Sequence, residues 1–309
     1  FRAWFSMGSE NTAIQLACLL ILLVGFILIL ERMTQKQSKF YYQTNTKQKP
    51  LTTPKLSTRF AIYMSCSVPF FLGFLIPLIY ILNNSIQQFM MVDFSRLFAL
   101  SFNSIKVSFI ASVFIILIAL FFLFVEKISK LKLNTIITNI TSLGYVIPGA
   151  VIGLAVILLF TQFPLFNNHL LVGSFFVLIY AYVFRFLAVG KSPIKSSLDK
   201  QPKAFEDTSK VLGVSSFKAL RTIHLPLNKM ALVIAFIVTF IDLLKELPIT
   251  LILRPFNFDT LATQTYEFAV EEMLKASSIY SLMIIVIGSV LLILLKYITN
   301  KQIHAFRSF

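Results

Sequence analysis

Charge is what this sequence has least of. Only 13% of its 309 residues are charged while 57% are hydrophobic, against about 25% and about 45–50% in an ordinary soluble domain. A water-soluble core cannot absorb so much Leu, Ile and Phe without exposing large apolar patches, which excludes a soluble globular fold. Cysteine is almost missing. Cys18 and Cys66 sit in different apolar runs, which excludes a disulfide framework and leaves them as small apolar residues. The three histidines, His169, His224 and His304, lie in separate connections or the tail, with no metal or nucleophile spacing. No catalytic residue is expected, and a membrane enzyme has no supporting constellation. Alternating apolar segments of about ten residues are also missing, which excludes a transmembrane barrel. Gly190-Lys191-Ser192 looks like the end of a phosphate-binding loop, but the required earlier glycine position is Arg185. The chain therefore carries no nucleotide site or other cofactor site of its own.

What it does have is long apolar runs. Seven stand near 13–30, 60–82, 101–125, 136–160, 170–189, 229–253 and 277–296. A helix of about 20 residues crosses a hydrocarbon core of about 30 Å and satisfies its own backbone there. The expected fold is an all-α membrane protein with about seven transmembrane helices. The second run contains Pro69, Gly73 and Pro77, tolerable in a bundle whose neighbours re-satisfy the freed carbonyls.

The net charge of +15 is distributed by connection rather than by surface. Segment 31–59 holds seven Lys and Arg, 126–134 three, 190–229 eight and 296–309 three, whereas the opposite connections hold four (Arg2, Arg96, Arg254, Lys275). This alternation is the positive-inside pattern. It places the first group in the cytoplasm, the N-terminus of these residues outside and the C-terminus inside. The lipid bilayer accounts for the charge, and no nucleic-acid partner is implied. No charged n-region precedes an apolar segment at residue 1, so no signal peptide is expected at this end. A start at Phe1-Arg2-Ala3-Trp4 on the outside is expected of a piece of a longer chain. The stretch between the first and second runs is rich in Lys, Gln and Thr, with Pro50 and Pro54, and reads as a flexible linker.

The connection 190–229 is the most informative polar stretch. Pro202 suits the first turn of a helix and Gly213 its stop, with Ala204, Phe205, Thr208, Val211 and Leu212 on one stripe between them. Ser215 or Ser216 suits the cap of a second short helix, in which Phe217, Leu220 and Ile223 recur until Leu225-Pro226 ends it. Two such amphipathic helices need a partner groove or the membrane surface to bury their stripes. The spacing Asp207-Thr208-Ser209, three residues, Gly213, nine residues, Ile223, one residue, Leu225-Pro226 resembles the cytoplasmic coupling loop of ABC importer permeases. That loop reads Glu-Ala-Ala, Gly, Ile and Leu-Pro at the same intervals. Thr208 and Ser209 replace the two alanines, and remain small. The resemblance implies a bundle like that of type I importer permeases, with the loop seated on a separate ATPase subunit. ATP bound by that partner would drive rigid-body alternating access.

The sixth run holds three ionisable residues, Asp242, Lys245 and Glu246, followed by Pro248. Each charge costs about 2.5–3.5 kcal/mol at a helix centre if unpaired, so they are expected to face the bundle interior, water or one another. Pro248 deprives the carbonyl of Leu244 of its donor and disfavours helix at Leu247. Two readings stand: a broken helix forming a transport pathway or gate, or an internal Asp242–Lys245 ion pair holding helices together. Arg185 lies five residues from the exit at Gly190, about 7.5 Å along a helix, and is read as snorkelling to the cytoplasmic interface.

The run from Asp242 to Ala262, with Lys245-Glu246-Leu247-Pro248, Thr250-Leu251 and Arg254-Pro255-Phe256-Asn257-Phe258-Asp259-Thr260-Leu261-Ala262, resembles the ferric-iron importer permeases. So do Arg2-Ala3-Trp4-Phe5, Met7-Gly8, Glu31-Arg32 and Arg185-Phe186-Leu187-Ala188. Such permeases often fuse two homologous halves. The resemblance then implies that 1–32 ends a preceding permease half, 33–59 is a cytoplasmic linker, 60–300 a six-helix permease domain and 301–309 a cytoplasmic tail. It further implies a periplasmic substrate-binding protein and residence in the bacterial inner membrane. Related permeases carry thiamine, polyamine or phosphonate, and those cargoes stay open, as does an ATPase-independent secondary transporter. Fe(III) prefers hard oxygen ligands. Asp259, Tyr266, Glu267 and Glu271 offer an acidic face, read either as binding-protein contacts or as metal ligands; the metal ligands are left unassigned.

Overall fold

The computed structural model describes residues 10–35, 55–128, 141, 143–162, 173–201 and 204–307. Expectations for the middle of the linker, for the start of the 136–160 run and for Pro202 fall outside these residues. Among the described residues every regular element is a helix. These are α1 (Glu10–Gln35), α2 (Leu56–Phe70), α3 (Ile76–Gln88), α4 (Phe94–Ile128), α5 (Gly149–Gln162), α6 (Phe175–Asp199), α7 (Ala204–Val211), α8 (Ser216–Ala219), α9 (Leu225–Leu227), α10 (Lys229–Leu244), α11 (Pro248–Leu253), α12 (Leu261–Val270) and α13 (Leu274–Arg307).

Four stretches are long and apolar enough to cross a membrane: Leu56–Met91, Phe94–Glu126, Phe175–Asp199 and Leu274–Asn300. A fifth candidate is the pair Ser216–Leu227 and Lys229–Leu244, bent by 73°. The proline-rich second run survives as one stretch because its helix widens. A π-helix over Phe71–Leu75 joins α2 to α3, with the Ile76 N–H donating to the Phe71 carbonyl. Pro77 then falls at the start of α3, where a missing N–H is harmless.

Three boundaries differ from expectation. The 136–160 run is not one helix: a short 3₁₀ turn at Leu143–Tyr145 and a non-helical step precede α5. Pro148 and Gly149 together account for that break. The 170–189 run does not stop at Gly190 but continues as α6 to Asp199, through Pro193. It continues because α4 also runs on to Ile128 and gives it a wall to pack on, with Lys195 Nζ 3.0 Å from Glu126 Oε1. The last run extends through the expected tail as far as Arg307.

One core joins α4, α5, α6, α10 and α11, built around Ile115, Val156, Leu178, Tyr182, Leu243 and Ile249. A second, nearer the α12 side, joins Leu97 and Leu100 to Leu261, Ile279 and Tyr280. Helix α4 makes close approach possible by burying Ser101, Ser104, Ser108 and Ser112 along one edge, small residues being the usual interface of membrane helices. Gly190 of α6 sits where a Cβ would lie 2.6 Å from the Ile115 side chain. Gly190→Leu is therefore expected to cost about 1–3 kcal/mol by overpacking, read as a lower unfolding midpoint of the detergent-purified protein. By contrast α2, α3 and the π-helix between them expose Phe70, Phe71, Leu72, Phe74, Ile76 and Ile79, the surface a bilayer solvates.

Candidate functional site

The break between α10 and α11 is where polar chemistry converges. Helix α10 ends at Leu244 and α11 starts at Pro248, leaving Lys245, Glu246 and Leu247 outside regular helix. Lys229 to Lys245 spans about 24 Å of rise, most of the way across a hydrocarbon core of about 30 Å, so the break lies toward its far side. Pro248 takes the first turn of α11, where it displaces no hydrogen bond.

Glu246 is only 7% exposed and closes that first turn itself. Its Oε1 accepts the Ile249 N–H at 3.1 Å, while the Thr250 hydroxyl donates to its backbone carbonyl at 2.7 Å. The same Oε1 also meets Arg185 Nη1 of α6 at 2.7 Å. Snorkelling is thus corrected: Arg185 has its guanidinium engaged by a carboxylate at the α10–α11 break rather than by an interface. It turns inward, with its guanidinium carbon 5.3 Å from the Phe186 ring centre and its Nε without a hydrogen-bond partner. Tyr182, one turn before Arg185, places its hydroxyl 2.5 Å from Thr250 Oγ1.

Gly149, the first residue of α5, is the third wall. A Cβ there would overlap the Arg185 guanidinium and lie 2.9 Å from Glu246 Oε1. Sequence reasoning missed both Gly149 and the Arg185–Glu246 pairing. The signal available was a lone arginine in one apolar run and, in another, a glutamate left over once Asp242 and Lys245 pair, each of which needs a partner.

Asp242 and Lys245 form the expected i, i+3 pair at 3.0 Å, with Asp242 partly buried and Lys245 62% exposed. An ammonium so exposed there is directed to water, headgroups or another protein surface rather than to acyl chains. That pair marks the side of the bundle that is covered or wet. Among the described residues no three His, Cys, Asp or Glu converge as a metal site.

The candidates beyond α11 separate into two kinds. Asp259 and Glu267 both pair with Arg254, which bridges them, Glu267 Oε1 at 2.7 Å from Nη2. Engaged this way they brace the 254–260 loop against α12 while staying about a third exposed. Glu271 alone of the four is exposed, just past α12. The brace continues into α4: Asn103 Nδ2 donates to the Asp259 carbonyl at 3.1 Å, and the Leu261 N–H donates to Ser104 Oγ at 2.8 Å. Thr260 caps α12 reciprocally with Thr263. The turn so held has Asn257 at φ 56° and projects Phe256, 93% exposed.

At the opposite end, α7 carries Asp207, Thr208 and Ser209. Gly213 follows at φ 65°, and the Val214 N–H donates back to the Ser209 carbonyl at 2.9 Å, the six-to-one bond of a Schellman stop. Ser215 caps α8 by accepting from the Lys218 N–H. Leu225-Pro226 does not end the helix, contrary to expectation. A π-turn over Leu220–His224 supplies a Leu225 N–H to Leu220 carbonyl bond, and Pro226 falls at the start of α9. The chain turns at Asn228 instead, whose Nδ2 donates to the His224 carbonyl at 2.6 Å. His224 Nδ1 lies 2.8 Å from Gln201 Oε1, tying the loop to the end of α6. Phe205, Val211, Leu212 and Phe217 stay exposed, Val211 at 87%.

A family model described as binding-protein-dependent transport system inner membrane component matches residues 123–304. The Fe(3+)-transport system permease protein FbpB 2 of Haemophilus influenzae is 27% identical over 204 residues, 66% of this chain and 40% of that protein. The putative ferric transport system permease protein FbpB 1 of the same organism is 33% identical over 102 residues, 33% of this chain and 16% of that protein. The chain thus spans well under half the length of these curated relatives. Two crystal structures share the fold at 12% identity: a bacterial alginate ABC transporter in complex with alginate pentasaccharide-bound periplasmic protein, and a bacterial ABC transporter importing the acidic polysaccharide alginate. Their TM-scores are 0.66 and 0.63, each covering 79% of this chain and 94% and 96% of theirs.

Proposed function

The chain belongs to the binding-protein-dependent transport system inner membrane components, and from that premise we propose that it is one permease half of an importer for ferric iron. The observation that carries the transport reading is the loop from α7 to Asn228. A Schellman stop at Gly213 and a tied-down π-turn hold Phe205, Val211 and Leu212 outward, exposed among the described residues, with Phe217 largely exposed beside Phe124. An apolar helix face held rigidly in water fits a groove on a separate, ATP-binding subunit. The residues that seat it are Asp207, Thr208, Ser209, Gly213, Ile223, Leu225 and Pro226.

The distribution of Lys and Arg supports a cytoplasmic position for this loop and for the C-terminus, with the start of α1 outside. A second permease half answers the need of Lys245 for a wet or protein-covered face, and the greater length of the curated relatives has room for one. The braced 254–260 turn and Glu271, on the opposite side of the membrane from the loop, suit contact with a periplasmic binding protein. Asp242, Lys245, Glu246 and Pro248 are assigned to the gate between the two halves.

Iron as cargo rests on the names of the two curated relatives and on the Lys245-to-Ala262 run. Uptake of ⁵⁵Fe(III) by cells deleted for the gene and complemented with the full-length permease tests it directly. Restored uptake is expected on complementation. Uptake that never depended on the gene would move the assignment to thiamine, polyamine or phosphonate, which the same cells can be offered as labelled cargo.

A further inference from the structure

A helical serine commonly returns its hydroxyl to the carbonyl four residues back, as Ser101, Ser104, Ser278 and Ser281 do. Ser192 and Ser196, near the end of α6, do not. Among the described residues their hydroxyls make no hydrogen bond, and the side chain of Lys200, the C-cap of α6, makes no hydrogen bond or ion pair. These three unpartnered donors line one cavity of about 680 Å³, together with Lys191, Lys195 and Asp199. That volume falls within the range of about 300–1,000 Å³ that small ligands occupy. Spacings of three and four residues put the lining on one face of the helix. Lys191 is only 4% exposed, and its Nζ donates to Thr141 Oγ1 at 3.0 Å, so its ammonium is built into the wall. Lys195 Nζ lies 3.0 Å from Glu126 Oε1. Three ammoniums therefore meet two carboxylates, Glu126 and Asp199, alongside the two serine hydroxyls. Positive charge stays in excess. Lys191 and Lys195 are also four residues apart, a like-charge spacing that opposes helix, and Pro193 between them lacks a backbone donor. The helix nonetheless runs on to Asp199. A ligand that accepts from both lysines removes that repulsion, and an acceptor-only oxyanion matches a set made of ammonium and hydroxyl donors.

We propose that this face of α6 binds a phosphate group, either inorganic phosphate or the phosphodiester of an anionic lipid headgroup. Lys191, Lys195 and Lys200 supply the charge, and Ser192 and Ser196 the neutral donors. A headgroup is a natural source where a membrane helix emerges with its lysines; the free anion has the same chemistry. Bound there, phosphate offsets the repulsion along the last turns of α6. Those turns lead directly to Gln201, whose Oε1 lies 2.8 Å from His224 Nδ1 at the root of the 204–226 loop. Occupancy thus steadies the anchorage of the loop, whatever the cargo of the permease.

The test uses the full-length permease, purified in detergent without its ATPase partner so that no nucleotide site competes for the probe, [³²P]phosphate. Saturable binding is expected at constant ionic strength. The triple variant Ser192→Ala, Ser196→Ala, Lys200→Ser removes donors that pair with nothing else among the described residues, so its unfolding midpoint should match the wild type. Its affinity for phosphate is expected to fall about ten-fold, the loss of charge-assisted contacts. Lys229→Ser alters an exposed lysine outside the cavity and should bind as the wild type does. A second arm places wild type and triple variant in nanodiscs of phosphatidylcholine with and without phosphatidylglycerol, and counts retained lipids by native mass spectrometry. Phosphatidylglycerol retained by the wild type and lost from the triple variant assigns the site to the headgroup. Phosphate bound equally well with and without that lipid assigns it to the free anion. If wild type and triple variant treat both probes alike, or Lys229→Ser weakens binding as much as the triple variant does, the lysines are only a diffuse positive surface and the site is wrong.

Discussion

Arg185→Ala is expected to destabilise the folded bundle by about 3–5 kcal/mol, because it strands a nearly buried Glu246 carboxylate without its partner. The loss would appear as a large drop in the thermal unfolding midpoint of the purified full-length permease. Arg185 does not act alone in this. It ties α6 to the start of α11 at the point where α10 stops, and α5 contributes only the gap at Gly149. Gly149→Ala should therefore lower the midpoint in the same direction. The atoms its Cβ would meet are the mobile ends of Arg185 and Glu246, so the cost is the displaced ion pair rather than a backbone clash. Replacing both charges together, Arg185→Met with Glu246→Leu, is expected to recover most of the stability, since an apolar pair leaves no uncompensated charge. Recovered stability with transport still lost would separate holding the fold from moving the cargo. If the single Arg185→Ala variant unfolds within about 1 kcal/mol of wild type, the typical scale of an exposed pair, the site is wetter than its burial implies.

Composition and the placement of Lys and Arg were enough to read a helical membrane protein, because both follow from the bilayer as a solvent and need no tertiary information. The break at Pro248 was legible for a local reason, the carbonyl of Leu244 left without its donor, although Pro193 shows that packing can carry a helix past the same defect. The extent of α6 was not. Pro193, the positive cluster and Gly190 all signal an exit, yet α4 continues alongside and keeps Lys195 paired with Glu126. Arg185, read as an interfacial anchor, is instead the partner of Glu246, 61 positions away in sequence. Pairings across such separations are set by which helices touch, and nothing in either apolar run states it. Arg254 was likewise read as a loop charge and not as a bridge between Asp259 and Glu267. The 204–226 loop was the reverse case. Its helix ends were visible because Gly213 and Ser215 are backbone requirements, whereas the π-turn before Pro226 and the turn at Asn228 lay beyond local rules.

Gly213→Val is expected to weaken capture of the ATPase subunit about ten-fold while leaving the membrane bundle intact. At φ 65° a β-branched residue is strained, and left-handed backbone costs an L-residue about 1–2 kcal/mol. About 1.4 kcal/mol is a factor of ten in an equilibrium. No side-chain clash contributes, because a Cβ at this position meets nothing within 4 Å. The strain instead competes with the Val214 to Ser209 bond that ends α7. An eight-residue helix has little stability of its own to spend against that. When the stop is lost, Val211 and Leu212 no longer keep their angle to Phe217 across the turn, and a rigid groove on the partner meets only one of the two short helices. Gly213→Asn supplies the control, since asparagine visits left-handed backbone readily, and should retain most of the binding. The measurement is co-purification of the ATPase subunit with tagged full-length permease, titrated to give relative Kd values for the two variants and wild type. Equal capture by Val and Gly at this position would mean that the loop does not couple the two subunits. Equal loss with Val and Asn would mean that the glycine matters for close approach of the partner rather than for its backbone angle.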